Sequence, residues 1–235
     1  MKSSTWPRIS LFLILSLISQ ILAEPCTPEQ AQGFPVSRQE ELDLIASHCT
    51  EINGSLSFWP NYTGPAILPN VTNIKTINFA TRRTETNVSS IEFPDLLHAD
   101  AIGFYRTSTL RNLSFPRLEN VSTLDLVFEA EVEDVQLPVL KSAEDVRIEG
   151  NFSKVSLGQL ERVNGRVRVC NVYNCEEDAL PARTSLDIDL SALQRVQELC
   201  VVGETVGIDL PKLSRIEDSA EIKGDISSFV CSPLC

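Results

Sequence analysis

One apolar pattern returns seven times along this chain, and a unit so short can bury its apolar residues only by stacking on copies of itself. Its anchor is an apolar residue usually followed by Pro: Leu68-Pro69, Phe93-Pro94, Phe115-Pro116, Leu137-Pro138, Leu157-Gly158, Leu190-Ser191 and Leu210-Pro211. Successive anchors lie 25, 22, 22, 20, 33 and 20 residues apart, and the 33 holds an insertion carrying Cys170-Asn-Val-Tyr-Asn-Cys175. Apolar residues recur two before the anchor and three, six, nine and eleven after it, as in Leu113, Phe115, Leu118, Val121, Leu124 and Leu126. Counting the anchor, 38 of the 42 slots are apolar in strict register, and a slip of one residue (Val167/Val169 and Ala220/Ile222) recovers the other four. A composition 43% apolar does not produce that order by chance.

The spacings dictate geometry. Apolar residues two apart put both side chains on one face of a strand, so Leu124 and Leu126 point inward and Asp125 outward. After the anchor, Pro removes a ladder donor and turns the chain. The step of three residues then carries it round a corner to the next strand. Short β-branched strands with no 3.6-residue stripe argue against helices. Leucine-rich repeats share the spacing but need an Asn or Cys three residues after the last slot; Arg82, Thr107, Glu129, Asn151 and Glu204 supply it once. The expected fold is therefore all-β: a right-handed parallel β-helix or solenoid of about seven coils, of the receptor L-domain kind. The expected organisation is a signal peptide over 1–23, an N-terminal cap over 24–60, coils over 61–222 with the insertion at about 170–185, and a C-terminal cap or tail over 223–235.

The ends and the composition point to an extracellular setting. Lys2 and Arg8 precede the apolar run Leu11–Ile18, which closes at Ala23. That run is too short to span a bilayer and reads as a signal peptide cleaved after Ala23. Without it the chain holds 18 basic and 32 acidic residues, a net charge of 18 − 32 = −14. So acidic a surface repels phosphate backbones, so no nucleic-acid partner is expected, and no transmembrane anchor is found. All seven cysteines follow Ala23 and are expected mostly in disulfides. Cys26 and Cys49 bracket the segment before the first coil and are expected to pair there. Cys170, Cys175, Cys200, Cys231 and Cys235 leave several pairings open, among them a clip from the insertion to Cys200. Seven of the 12 asparagines (Asn53, Asn61, Asn70, Asn87, Asn112, Asn120 and Asn151) open Asn-X-Ser/Thr acceptors, against about two expected from composition. Most are expected to carry glycans, and none lies beyond Asn151.

The stretch Cys49-Thr-Glu-Ile-Asn-Gly-Ser-Leu and coils such as Leu-Ser-Phe-Pro-Arg-Leu-Glu-Asn-Val-Ser-Thr-Leu-Asp-Leu (113–126) resemble the fungal sporulation-specific and extracellular-mutant cell-wall glycoproteins. The resemblance covers about residues 26–222. It implies receptor L-domain-like repeats and a role in cell-wall organisation. Members usually carry a C-terminal lipid-anchor signal, and Ser228-Phe-Val-Cys-Ser-Pro-Leu-Cys235 lacks the apolar tail this needs. Release from the cell and a longer chain both stay open.

The chemistry-bearing residues are few. Asp187 and Asp189 flank the inward Ile188, and Asp209 repeats the Asp189 slot one coil later. Stacked outward carboxylates could serve as an acid/base pair or ligate calcium. On so acidic a chain they read foremost as a solvated face and a candidate binding face. Trp59 follows Phe58 and reads as packing, and His98 as a surface residue. Glu176–Asp178 belongs to the insertion, a loop of the kind that carries binding. No cofactor, metal or catalytic residue is expected. The expected function is a non-catalytic secreted glycoprotein of the cell surface or wall, with a wall polysaccharide or surface protein as partner. The alternatives are a polysaccharide-active β-helix enzyme and a secreted effector that binds a partner protein.

Overall fold

The computed structural model describes residues 24–29, 33–79, 86–105, 107–132, 134–171 and 185–231. Its strands are β1 (Glu24–Cys26), β2 (Phe34–Val36), β3 (Cys49–Phe58), β4 (Thr63–Ile67), β5 (Asn73–Phe79) and β6 (Asn87–Glu92). They continue as β7 (His98–Tyr105), β8 (Asn112–Ser114), β9 (Asn120–Glu131), β10 (Asp134–Gln136), β11 (Ser142–Asn151) and β12 (Lys154–Ser156). The last are β13 (Arg162–Val163), β14 (Arg166–Cys170), β15 (Ser185–Asp189), β16 (Arg195–Leu210) and β17 (Arg215–Cys231). All 17 join one sheet, and every recorded pairing is parallel, rung on rung. The result is a parallel β-solenoid of about eight turns, where the sequence led us to expect about seven coils. The further turn is β3, whose Ile52, Leu56 and Phe58 pair in register with Ile74, Ile77 and Phe79. The repeat was traced from its Pro-marked anchors, and β3 precedes the first of them. At the other end β17 continues the stack from Asp225 to Cys231.

The inward slots form continuous columns. Leu56, Ile77, Ile102, Leu124, Val146, Val167, Leu199 and Ala220 are successive register partners on one side. On the other side Val135, Val155, Ile188 and Ile208 do the same. Nearly every slot residue is fully buried, which contributes about 1.5–3 kcal/mol for each large side chain. Aromatic rings fill the N-terminal end of one column: Phe58 stacks on Phe79 at 3.7 Å and Phe79 on Phe104 at 4.5 Å. Aliphatic Leu126, Ile148, Val169 and Val201 continue it.

From Phe93 onward the corner after each anchor is a hydrogen-bonded turn. Leu96, Leu118, Leu140, Leu160, Leu193 and Leu213 each donate a backbone N–H to the anchor carbonyl three residues earlier, at 2.9–3.4 Å. Pro, where present, occupies the second turn position, where its fixed φ is an advantage. The next residue donates to the coil beneath, as in Glu119 to Leu97 (2.9 Å) and Lys141 to Glu119 (2.8 Å). The slip of register in one coil has a local cause. Between β13 and β14, Gly165 donates to the Glu144 carbonyl at 2.8 Å. A Cβ there would stand 2.7 Å from Asp145 Oδ1.

Among the described residues a single helix, α1 (Gln39–His48), lies across the N-terminal end and buries Leu42 and Ile45. The sequence reading did not anticipate it, because its apolar stripe is only these two residues long. The Gln39 side chain accepts from the Ile67 N–H at 2.9 Å and donates to the Ile67 carbonyl at 2.8 Å. One amide thus satisfies the open edge of β4, which would otherwise invite another strand. A Cys26–Cys49 disulfide ties β1 to β3 at this end, as expected from the sequence.

Candidate functional site

Outward positions between the slots carry whatever chemistry this surface has. Asp189 and Asp209 are direct register partners, as the repeat implied, while Asp187 pairs with Lys154 on one side and Gly207 on the other. Asp187 is exposed; Asp189 and Asp209 are half-buried. Asp189 Oδ1 accepts the Ser191 N–H at 2.9 Å, which ties one carboxylate into the turn that follows it. Its other oxygen lies against Gly158, where a Cβ would approach to 2.5 Å. Among the described residues no three His, Cys, Asp or Glu side chains converge on a point where a metal could sit.

The insertion departs after Cys170 and Asn171. Cys170 is fully buried and disulfide-bonded, and residues 172–184, with Cys175 and Glu176–Asp178, lie outside the described residues. Cys200 is a free, half-buried thiol, so the clip to Cys200 that the sequence left open is not formed. For Cys170 the register explains why. Cys200 pairs with Arg168, and Cys170 pairs with Val202. The two cysteines are diagonal neighbours, about 8 Å apart by strand rise and rung spacing, beyond the reach of a disulfide. Burial foremost, with Glu221 assisting, raises the pKa of the Cys200 thiol.

The polar network beside it escaped sequence reasoning. Arg147 makes a two-pronged contact with Glu149, Nε to Oε1 at 2.8 Å and Nη2 to Oε2 at 2.7 Å. Arg147 also faces Asp125 at 3.7 Å, and Asp125 accepts the Tyr105 hydroxyl. Glu149 is 1% exposed, because its register partners Val127 and Cys170 close over it. Its hydrogen bonds raise the Arg147 pKa further. Only the i, i+2 spacing of Arg147 and Glu149 hinted at the pair. Burial on an outward position could not be read from the repeat.

None of the seven glycan acceptors is buried. Asn53, Asn61, Asn70, Asn87 and Asn112 are exposed, and Asn120 and Asn151 are half-buried. Asn70 adopts φ +67°, the left-handed conformation that Asn tolerates, and its N–H donates to Asp95 Oδ2 at 2.9 Å. Asn120 Nδ2 lies 3.1 Å from Nδ1 of the exposed His98. Trp59 is 53% exposed rather than packed, because strand alternation turns it outward beside the inward Phe58. Among the described residues no helix is long and apolar enough to cross a membrane. Comparison with family models, curated proteins and solved structures finds no match for this chain.

Proposed function

We propose that this chain is a secreted, non-catalytic glycoprotein of the cell surface or wall, with glycan-bearing N-terminal coils as a spacer and the last coils as the binding region. The distribution of acceptors carries this reading. Seven acceptors, none of them buried, lie between Asn53 and Asn151, and the rungs from Lys154 to Cys231 carry none. A glycan attached at any of them leaves every inward slot intact, and the bare coils leave protein side chains free to meet a partner. The resemblance to fungal cell-wall glycoproteins supports a wall setting. Intact mass before and after glycan removal tests the first part, with most of the seven sites expected to be filled. Fractionation of wall against culture medium tests the second, and retention of an unglycosylated product inside the cell would overturn both.

The in-register Asp189–Asp209 pair favours one second reading, a polysaccharide-active enzyme, since retaining glycosidases hold two carboxyls about 5–5.5 Å apart. Turnover of wall glucan, chitin or pectin that Asp189→Asn abolishes would establish it. The hydrogen bond from Ser191 to Asp189 weighs for a structural role instead.

A further inference from the structure

One outward ladder changes character along the stack. At the entry to each long strand, five rungs from Glu51 through Asn73, His98 and Asn120 to Ser142 follow one another in register. Most of these neighbours are bonded: Asn73 Nδ2 donates to Glu51 at 2.9 Å, Asn120 faces His98 at 3.1 Å, and Ser142 Oγ donates to Asn120 at 2.5 Å. The next three rungs of the same ladder are Arg162, Arg195 and Arg215, each the direct partner of the one before. Arg162 and Arg215 are exposed, and Arg195 is half-buried. Among the described residues neither Arg162 nor Arg195 has an ion pair, while Arg215 meets Glu217 at 3.3 Å.

Like charges directly opposite each other on neighbouring strands destabilise a sheet. Here three sit on successive rungs, about 4.8 Å apart, on a chain with 32 acidic residues available for interleaving. The ladder's own upstream rungs show the neutral alternative. We propose that Arg162, Arg195 and Arg215 form a docking strip for a linear acidic polysaccharide, whose carboxylate or sulfate groups bridge successive guanidinium groups along the solenoid axis.

Three features select this partner. Guanidinium forks match planar or tetrahedral oxyanions, and anions placed between them relieve the repulsion. Glu161 on one side of the strip, with Glu198 and Glu217 on the other, confines it to a single file, which suits a thread of charge rather than a broad acidic surface. The backbone at the strip is already engaged: Gln194 donates to Glu161 at 2.9 Å and Arg215 to Gln194 at 3.2 Å. Between these rungs recognition therefore rests on side-chain charge. The strip also lies wholly on the acceptor-free coils. This deepens the binding reading above by naming the partner class. Because it is tested on purified protein, its failure leaves the fractionation result untouched.

The experiment measures binding of the full glycosylated chain to polygalacturonate, dextran sulfate, neutral dextran and polyglutamate. Both or either acidic polysaccharide should bind and neutral dextran should not; the preferred polymer identifies carboxylate or sulfate as the recognised group. The triple variant Arg162→Gln/Arg195→Gln/Arg215→Gln should bind roughly tenfold more weakly or worse, since charge-assisted contacts are lost. A charge-matched control on the N-terminal coils, Lys75→Gln/Arg111→Gln/Arg117→Gln, should bind as the parent does. In the unsubstituted protein, bound polymer should protect Arg162, Arg195 and Arg215 from phenylglyoxal, a readout independent of how the variants fold. The proposal is overturned if neither acidic polysaccharide binds, if the control loses as much as the triple variant, if protection falls on other arginines, or if polyglutamate binds more tightly than both polysaccharides.

Discussion

Removing the Arg147 side chain should destabilise this solenoid far more than removing the charge it neutralises. Glu149 is 1% exposed and its register partners, Val127 and Cys170, are apolar or disulfide-bonded, so its carboxylate depends on Arg147. Arg147→Ala deletes contacts of 2.7 and 2.8 Å and leaves the carboxylate buried without a cation. Breaking a buried pair in this way costs about 3–5 kcal/mol. Glu149→Gln keeps the shape and leaves Arg147, whose side chain is 30% exposed, facing Asp125 at 3.7 Å. That change should cost about 1.5–3 kcal/mol, the range for a hydrogen bond to a charged group. The double variant Arg147→Met/Glu149→Met removes both charges and replaces them with adaptable apolar volume, so it should be more stable than Arg147→Ala. Urea unfolding followed by circular dichroism reads the order directly. With a slope near 3 kcal/mol/M for a chain of this size, Arg147→Ala should lower the midpoint by roughly 1 M. Equal losses from the two single variants, or a double variant as unstable as the sum of both, would refute the buried-pair argument.

Four further outcomes follow from the structure. Gly150→Ala places a side chain at φ +138° with its Cβ 2.4 Å from the Phe128 carbonyl oxygen, and should cost about 2–3 kcal/mol. Gly64→Ala, at φ +88° with nothing within 4 Å, should cost about 1 kcal/mol, and matched thermal melts would expose any failure of that ranking. Reducing Cys26–Cys49, which closes a separation of 23 residues, should remove about 3 kcal/mol by chain entropy. Alkylation of the native protein should reach Cys200 but neither of these two cysteines, and slowly near neutral pH because burial raises the Cys200 pKa. The Tyr62 phenol is pushed up to about 12 by burial, then by Asp43 and Glu40, and it donates to the Pro65 carbonyl at 2.5 Å. A raised phenol pKa stabilises the fold fully below pH 10 and loses that contribution as pH climbs through about 12. The melting midpoint should therefore fall across that window, and a Tyr62→Phe protein that falls as steeply would remove Tyr62 as the cause.

The architecture was legible because a period near 20 residues leaves a short chain segment no other way to bury six apolar slots. Leu124, Asp125 and Leu126 alone state which side chains face in, and the Pro after Phe93, Phe115 and Leu137 states where the chain turns. Even the slip at Val167/Val169 was written in the pattern, with Gly165 as its physical cause. Capping was legible only in part. Cys26 and Cys49 announced their pairing, but α1 and the Gln39 amide that satisfies Ile67 did not, since a side chain that imitates a strand rung leaves no periodic trace. Outward positions were the least readable, because alternation says that a residue points outward and not what covers it there. Glu149 sits on an outward position and is buried; Trp59 looked packed and is exposed. Cys170 and Cys200 looked able to pair and stand on a diagonal. The three arginines lie 33 and 20 residues apart in the chain, and only the rung-by-rung register brings their charges into one file. Local alternation and turn chemistry determine the coil, whereas neighbours along the solenoid axis come from different coils, and only the stacking decides which side chains meet.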